Sequence, residues 1–205
     1  MVLRFRWWLC GLLAAACGAS GQVIEFESGG LRYQTLSKGG VTIMFAHLPI
    51  QVREYSIVQA TVSNGSGAVY AIRPEDFAFR FPDGREVRAA PAQRVVTDLM
   101  DRAGRNDVIR LVSTYEIGLY GLSRYKSTSG YEKRRQAALA EVTSSRLKAA
   151  AAASAIAFVE IKLKGGESTD GALFFPTRGS PLAGSSLRVT AAGQLFEFKP
   201  EPDAR

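Results

Sequence analysis

Hydrophobic positions change their spacing twice along the chain. From residue 22 to 90 they recur mostly every second residue. Val58, Ala60 and Val62 alternate with Ile57, Gln59 and Thr61, and Phe77, Phe79 and Phe81 alternate with Ala78 and Arg80. A period of two is the signature of a strand with unlike faces. The pattern predicts strands starting at Val23–Phe26 and running over Leu31–Ser37, Val41–Leu48, Arg53–Ser63, Ala68–Ile72, Phe77–Phe81 and Glu86–Ala89. Gly29-Gly30, Gly39-Gly40, Pro49, Asn64-Gly65 and Pro82-Asp83-Gly84 separate them. Glycine and asparagine tolerate positive φ there, and proline interrupts a ladder.

After Pro91 the spacing becomes helical. Val95, Val96, Leu99 and Met100 share one face. Asn106 or Asp107 can cap a second helix whose apolar stripe is Val108, Val112, Tyr115, Leu119 and Leu122. Ser129-x-x-Glu132 has the form of a capping box and predicts a third, alanine-rich helix from about 130 to 157. Gly118 and Gly121 offer a close-approach surface for that helix and its run Ala149–Ala153. From residue 159 the period of two returns in Val159–Leu163, Ala172–Phe175, Leu187–Val189 and Phe196–Phe198. The segment 159–163 also reads as a continuation of the alanine-rich helix.

The expected class is therefore mainly β with an α insertion: an immunoglobulin-like β-sandwich carrying a helical hairpin. One discontinuous domain, 22–199, has β segments 22–90 and 159–199 around an insertion at 92–157, followed by a frayed tail at 200–205. Neither β segment is large enough to close a core alone, so folding must join them.

The first residues follow different rules. Arg4 and Arg6 precede an apolar run, Trp7–Ala16, and small residues follow. That order predicts a signal peptide over 1–16, and the run is too short to span a bilayer. Leu13-Ala14-Ala15-Ala16-Cys17 resembles a bacterial lipobox, although Ala14 stands where that motif prefers leucine. The resemblance implies lipidation at Cys17, a short tether over 17–21, and attachment to a membrane through the lipid. Of the chain's two cysteines, Cys10 lies within the leader, so Cys17 would otherwise be an unpaired thiol in an oxidising compartment. The alternative is ordinary cleavage after Ala16 or Ala19 and a soluble secreted or periplasmic protein. No residue pattern sets the membrane leaflet.

Composition narrows the function classes. The chain has 205 residues, is 46% hydrophobic and 22% charged, and carries a formal charge of +7. Loss of the leader removes two of those positive charges. The modest excess, in an exported protein, argues against nucleic acid as a partner.

Catalytic patterns are sparse. His47 is the single histidine, in Phe45-Ala46-His47-Leu48-Pro49 at a strand end. Ser123-x-x-Lys126 and Ser145-x-x-Lys148 lack the companion motifs of penicillin-recognising enzymes. Glu75, Asp76 and Asp83 do not form the ligand series of a calcium loop. No cofactor or metal is expected.

Asn64-x-Ser66, Pro74-Glu75-Asp76-Phe77, Asp83-Gly84-x-x-Val87, Gly166-Glu167-Ser168-Thr169-x-Gly171 and Leu173-Phe174-Phe175-Pro176 together resemble secreted bacterial immunoglobulin-like sandwich domains. The resemblance covers the β segments and implies an envelope-exposed module. It brings no catalytic residues with it.

The insertion holds four of the seven tyrosines, and seven basic residues lie between 124 and 148 against Glu132 and Glu141. Tyr120, Arg124, Tyr125, Lys126, Tyr131, Lys133, Arg134 and Arg135 are the candidate partner-binding residues, because aromatic rings and guanidinium forks make strong contacts. Tyr115 lies on the apolar stripe and is expected in the core. The reading is a non-enzymatic binding or scaffolding module of the envelope whose insertion contacts a protein, a glycan or an anionic surface. The alternatives are an envelope hydrolase using His47 and a structural lipoprotein that forms a homo-oligomer.

Overall fold

The computed structural model describes residues 21–102, 105–122, 125–140, 151 and 154–201. The expected signal peptide, Cys17, Arg124, the Ser145-x-x-Lys148 match, most of the alanine run and most of the tail lie outside the described residues. The protein is mainly β, with several antiparallel sheets and a few helices.

The strands are β1 (Ile24–Ser28), β2 (Leu31–Lys38), β3 (Val41–Val52), β4 (Tyr55–Asn64), β5 (Tyr70–Ile72), β6 (Phe77–Arg80), β7 (Glu86–Arg88), β8 (Ile161–Leu163), β9 (Ser168–Pro176), β10 (Ser186–Ala191) and β11 (Gln194–Pro200). The helices are α1 (Ala92–Arg102), α2 (Arg105–Gly121) and α3 (Tyr131–Ala140). One sheet has the order β1-β2-β3-β4-β9, a second β11-β10-β6-β7, and β5 pairs with β8. The ladders β4–β9, β6–β10 and β5–β8 all join the early β segment to the late one. Residues 161–163 are strand, because β5 supplies the partner that the sequence alone does not show.

The two larger sheets share one apolar core. Val41, Ile43, Phe45, Val58, Val62 and Phe175 face Phe77, Phe79, Leu187, Val189 and Phe196. Phe79 packs edge-on against Phe45 and Phe175, with centroids 6.5 and 4.7 Å apart. Such a core is apolar because an unpaired polar group in it would lose its hydration without compensation.

The other face of the five-stranded sheet is buried too. Tyr33, Ala46, Leu48, Ile57 and Phe174 meet Val95 and Leu99 of α1, Leu111, Tyr115 and Leu119 of α2, and Tyr131 of α3. All three helices thus share an apolar cluster with the sheet. This covering explains β4, which is buried on both faces although its sequence alternates apolar and polar residues.

Four details differ from the sequence reading. Pro49 does not end the third strand. β3 runs on to Val52, and its register to β4 shifts between His47 and Gln51, where the proline has no N–H to contribute. Leu111, outside the expected stripe, is fully buried in α2. The stripe of α2 packs on the sheet. A Cβ on Gly118 would meet Gln59 and Leu31, and one on Gly121 would lie 2.7 Å from the Gly29 Cα, so these glycines admit the β1–β2 region. Finally, Ser129 does not cap α3. Its hydroxyl donates to the Ser168 carbonyl, and the Tyr131 amide donates to Asp170 Oδ2 at 3.2 Å. A carboxylate from β9 does the capping, satisfying an otherwise free amide at a helix start.

Candidate functional site

The candidate residues of the insertion gather around the start of α3, and Tyr131 and Arg134 among them turn their functional groups inward. Asp170, 2% exposed on β9, is the centre. It accepts a 2.5 Å hydrogen bond from the Tyr115 hydroxyl, another from the Ser127 hydroxyl, and the Tyr131 amide bond. Tyr131 is fully buried, stacks edge-on against Tyr115 at 5.2 Å, and donates its hydroxyl to Glu116 Oε1 at 2.6 Å. Burial first, and the facing carboxylates second, raise both tyrosine pKa values, so both phenols stay protonated and donate.

Arg134 is a clamp. Its Nε donates to the Ala155 carbonyl at 3.0 Å, Nη1 to Ser129 at 3.1 Å and Nη2 to the Asp170 carbonyl at 2.8 Å. One guanidinium thereby ties α3 to β9 and to the segment that follows the alanine run. Arg135 Nε sits 3.6 Å from Glu116 Oε1. Tyr125 is half-buried in the outer layer, with its hydroxyl 3.4 Å from that of Ser63. Of the described candidates, Tyr120, Lys126 and Lys133 are the exposed ones. The expected cluster is thus divided: Tyr131 and Arg134 fasten the helices internally, while Tyr120, Lys126 and Lys133 face outward.

A small cleft of about 80 Å³ opens beside this network, bounded by Tyr120, Leu122, Tyr125, Lys126, Glu132 and Asp170. It is far below the several hundred Å³ of an ordinary small-molecule site. His47 is exposed on β3 beside the register shift, and among the described residues no hydroxyl or carboxylate is hydrogen-bonded to it. Among the described residues no group of three or more His, Cys, Asp or Glu side chains could hold a metal ion.

The exposed side of α2 was not foreseen. Ile117 is 62% exposed, Tyr120 53% and Ile109 46%. At 100° per residue they point away from the buried stripe of Val108, Leu111, Tyr115 and Leu119. The signal was present in the sequence as apolar residues off the stripe.

No protein-family model matches the chain, and no curated protein does. The crystal structure of the YjhA protein from Bacillus subtilis aligns with 87% of this chain and 96% of its own, at a TM-score of 0.36 and 9% identity. Among the described residues no helix is long and apolar enough to cross a membrane.

Proposed function

We propose that this chain is an exported, lipid-tethered binding module of the cell envelope, with an immunoglobulin-like β-sandwich as its rigid base. The outer side of α2 is the contact surface for a protein partner. The observation that carries this reading is the exposure of Ile109, Ile117 and Tyr120 on a helix whose opposite side is buried in the outer core. Surface helices ordinarily present polar residues outward, and grouped exposed apolar residues mark interaction surfaces. Tyr120 supplies an aromatic anchor of the kind that dominates binding energies. The export and tether parts rest on Arg4, Arg6, the apolar run Trp7–Ala16 and Cys17. The sandwich part is supported by two antiparallel sheets that share a core.

The test has two parts, run on protein expressed in its own envelope. Mass spectrometry of the mature N-terminus should find a diacylated Cys17, and Cys17→Ser should release the protein from the membrane. A photo-crosslinking residue at position 120 should give one discrete adduct, and the same group at exposed Lys162 on β8 should give none. An unmodified N-terminus removes the tether. Identical adduct patterns from positions 120 and 162 remove the α2 surface.

A further inference from the structure

The outer face of the four-stranded sheet is shaped by one short residue. Ala78 of β6 stands opposite Arg88 of β7 on one side and opposite Arg188 of β10 on the other. Residues directly opposed in antiparallel strands share a face, with Cβ atoms about 5 Å apart. Two guanidinium stems therefore rise on either side of a methyl group. The space above Ala78 is an open groove of about 310 Å³, also lined by Glu75, Thr190 and Leu195. That volume lies at the lower end of small-molecule sites.

Both arginines are braced by glutamates, Arg188 from outside the groove and Arg88 by Glu86 on its rim. Arg188 Nε lies 3.5 Å from Glu197 Oε1, the residue opposite it on β11, and Arg88 Nε lies 3.3 Å from Glu86 Oε1. Arg188 is largely covered, with 26% of its side chain exposed. Both glutamate contacts are made by Nε and not by the terminal nitrogens of either guanidinium. Those nitrogens are the ends with the fork geometry that matches a carboxylate. Leu195, 43% exposed, gives the groove an apolar wall. Glu75, Asp76 and Glu86 line the same space, so a ligand with more than one negative charge would meet repulsion there.

We propose that this groove binds one carboxylate carried by an apolar group, as in a free aliphatic amino acid or the C-terminal residue of a peptide. The two arginines grip the carboxylate, Leu195 covers the apolar group, and the acidic rim selects against phosphates. The site is on a different sheet from α2 and stands independently of the function proposed above.

Titration of the full mature chain, followed by the side-chain NMR signals of its arginines, tests this. The probes are leucine, N-acetyl-leucine, N-acetyl-leucinamide and inorganic phosphate. N-acetyl-leucine or leucine should shift Arg88 and Arg188 saturably. The amide should not, and phosphate should bind at least tenfold more weakly. Arg188→Gln should weaken binding about tenfold, the loss expected for a charge-assisted pair. Ala78→Leu should abolish binding by filling the groove while leaving both charges in place. Arg88→Gln serves the same purpose if Ala78→Leu does not fold. Binding of leucine but not of its acetylated form assigns a free amino acid, and the reverse assigns a peptide C-terminus. No saturable shift with either carboxylate, equal binding of the amide or of phosphate, or unchanged binding in the filled or charge-deleted groove would each overturn the proposal.

Discussion

The two faces of the five-stranded sheet are buried by different means. The inner face meets a second sheet through aliphatic and phenyl groups. The outer face meets helices through a layer in which Tyr33, Gln59, Tyr115, Tyr131 and Asp170 are all buried. Tyr33 Oη lies 3.0 Å from the Gly118 carbonyl and 3.2 Å from Gln59 Oε1, and Asp170 holds two hydroxyls and an amide. Apolar packing is non-directional, so it rewards any arrangement of similar volume. Buried polar groups tolerate only the arrangement that satisfies them. Both layers bury comparable apolar clusters, and the polar contacts of the outer layer fix where each helix sits.

The sharpest way to break the comparison is to damage each layer separately. Phe79→Ala removes a fully buried ring from the inner core and should cost about 4 kcal/mol in chemical denaturation, with the whole protein unfolding together. Asp170→Ala orphans the Tyr115 hydroxyl and the Tyr131 amide and should cost about 3 kcal/mol. Its signature is local: hydrogen exchange should speed up in α2 and α3 and stay slow in β6 and β10. Equal loss in both layers would show that they are one cooperative unit. Gly121→Ala drives a methyl group to 2.7 Å from the Gly29 Cα, which is backbone and cannot swing away. That should cost about 2 kcal/mol and loosen α2 from the β1–β2 turn.

The smallest effect is a pH dependence at the edge where β11 leaves the sheet. Burial raises Glu201 to about 7, with Arg32 opposing the shift and Glu25 adding to it. The folded state thus holds this proton more tightly than the unfolded chain. The stability it contributes is complete below about pH 4.5 and lost as pH rises through about 7. The loss should be on the order of 1–2 kcal/mol, and Glu201→Gln should flatten the profile over that window. A wild-type stability that rises between pH 5 and 7, and does so equally in Glu201→Gln, would refute the assignment.

Much of the fold was legible because its causes are local. The alternation around Phe77 and Phe79 and the turn at Asp83-Gly84 need only neighbouring residues to be read, whereas 161–163 became strand only through its pairing with β5. The candidate site was not legible in that way. Arg134 and Tyr131 look like surface contacts because their partners, Ala155, Asp170 and Glu116, are 15 to 39 residues away. The Ser129 capping signal was overridden for the same reason: Asp170 reaches the Tyr131 amide across 39 residues. The row Arg88–Ala78–Arg188 exists only once β6 is paired on both sides.

By itself, the sequence determined the order and type of most elements, the split of the β part into two dependent segments, and the absence of a zinc or triad pattern around its single histidine. Only the tertiary structure decided that the helices lie on the sheet, that Tyr115, Tyr131 and Arg134 of the insertion point inward, and that exposed apolar residues collect on α2 instead. Periodicity follows from backbone geometry, which each residue carries with it. Whether a polar side chain faces water or a partner depends on what the rest of the chain brings beside it, and that is settled only when distant segments meet.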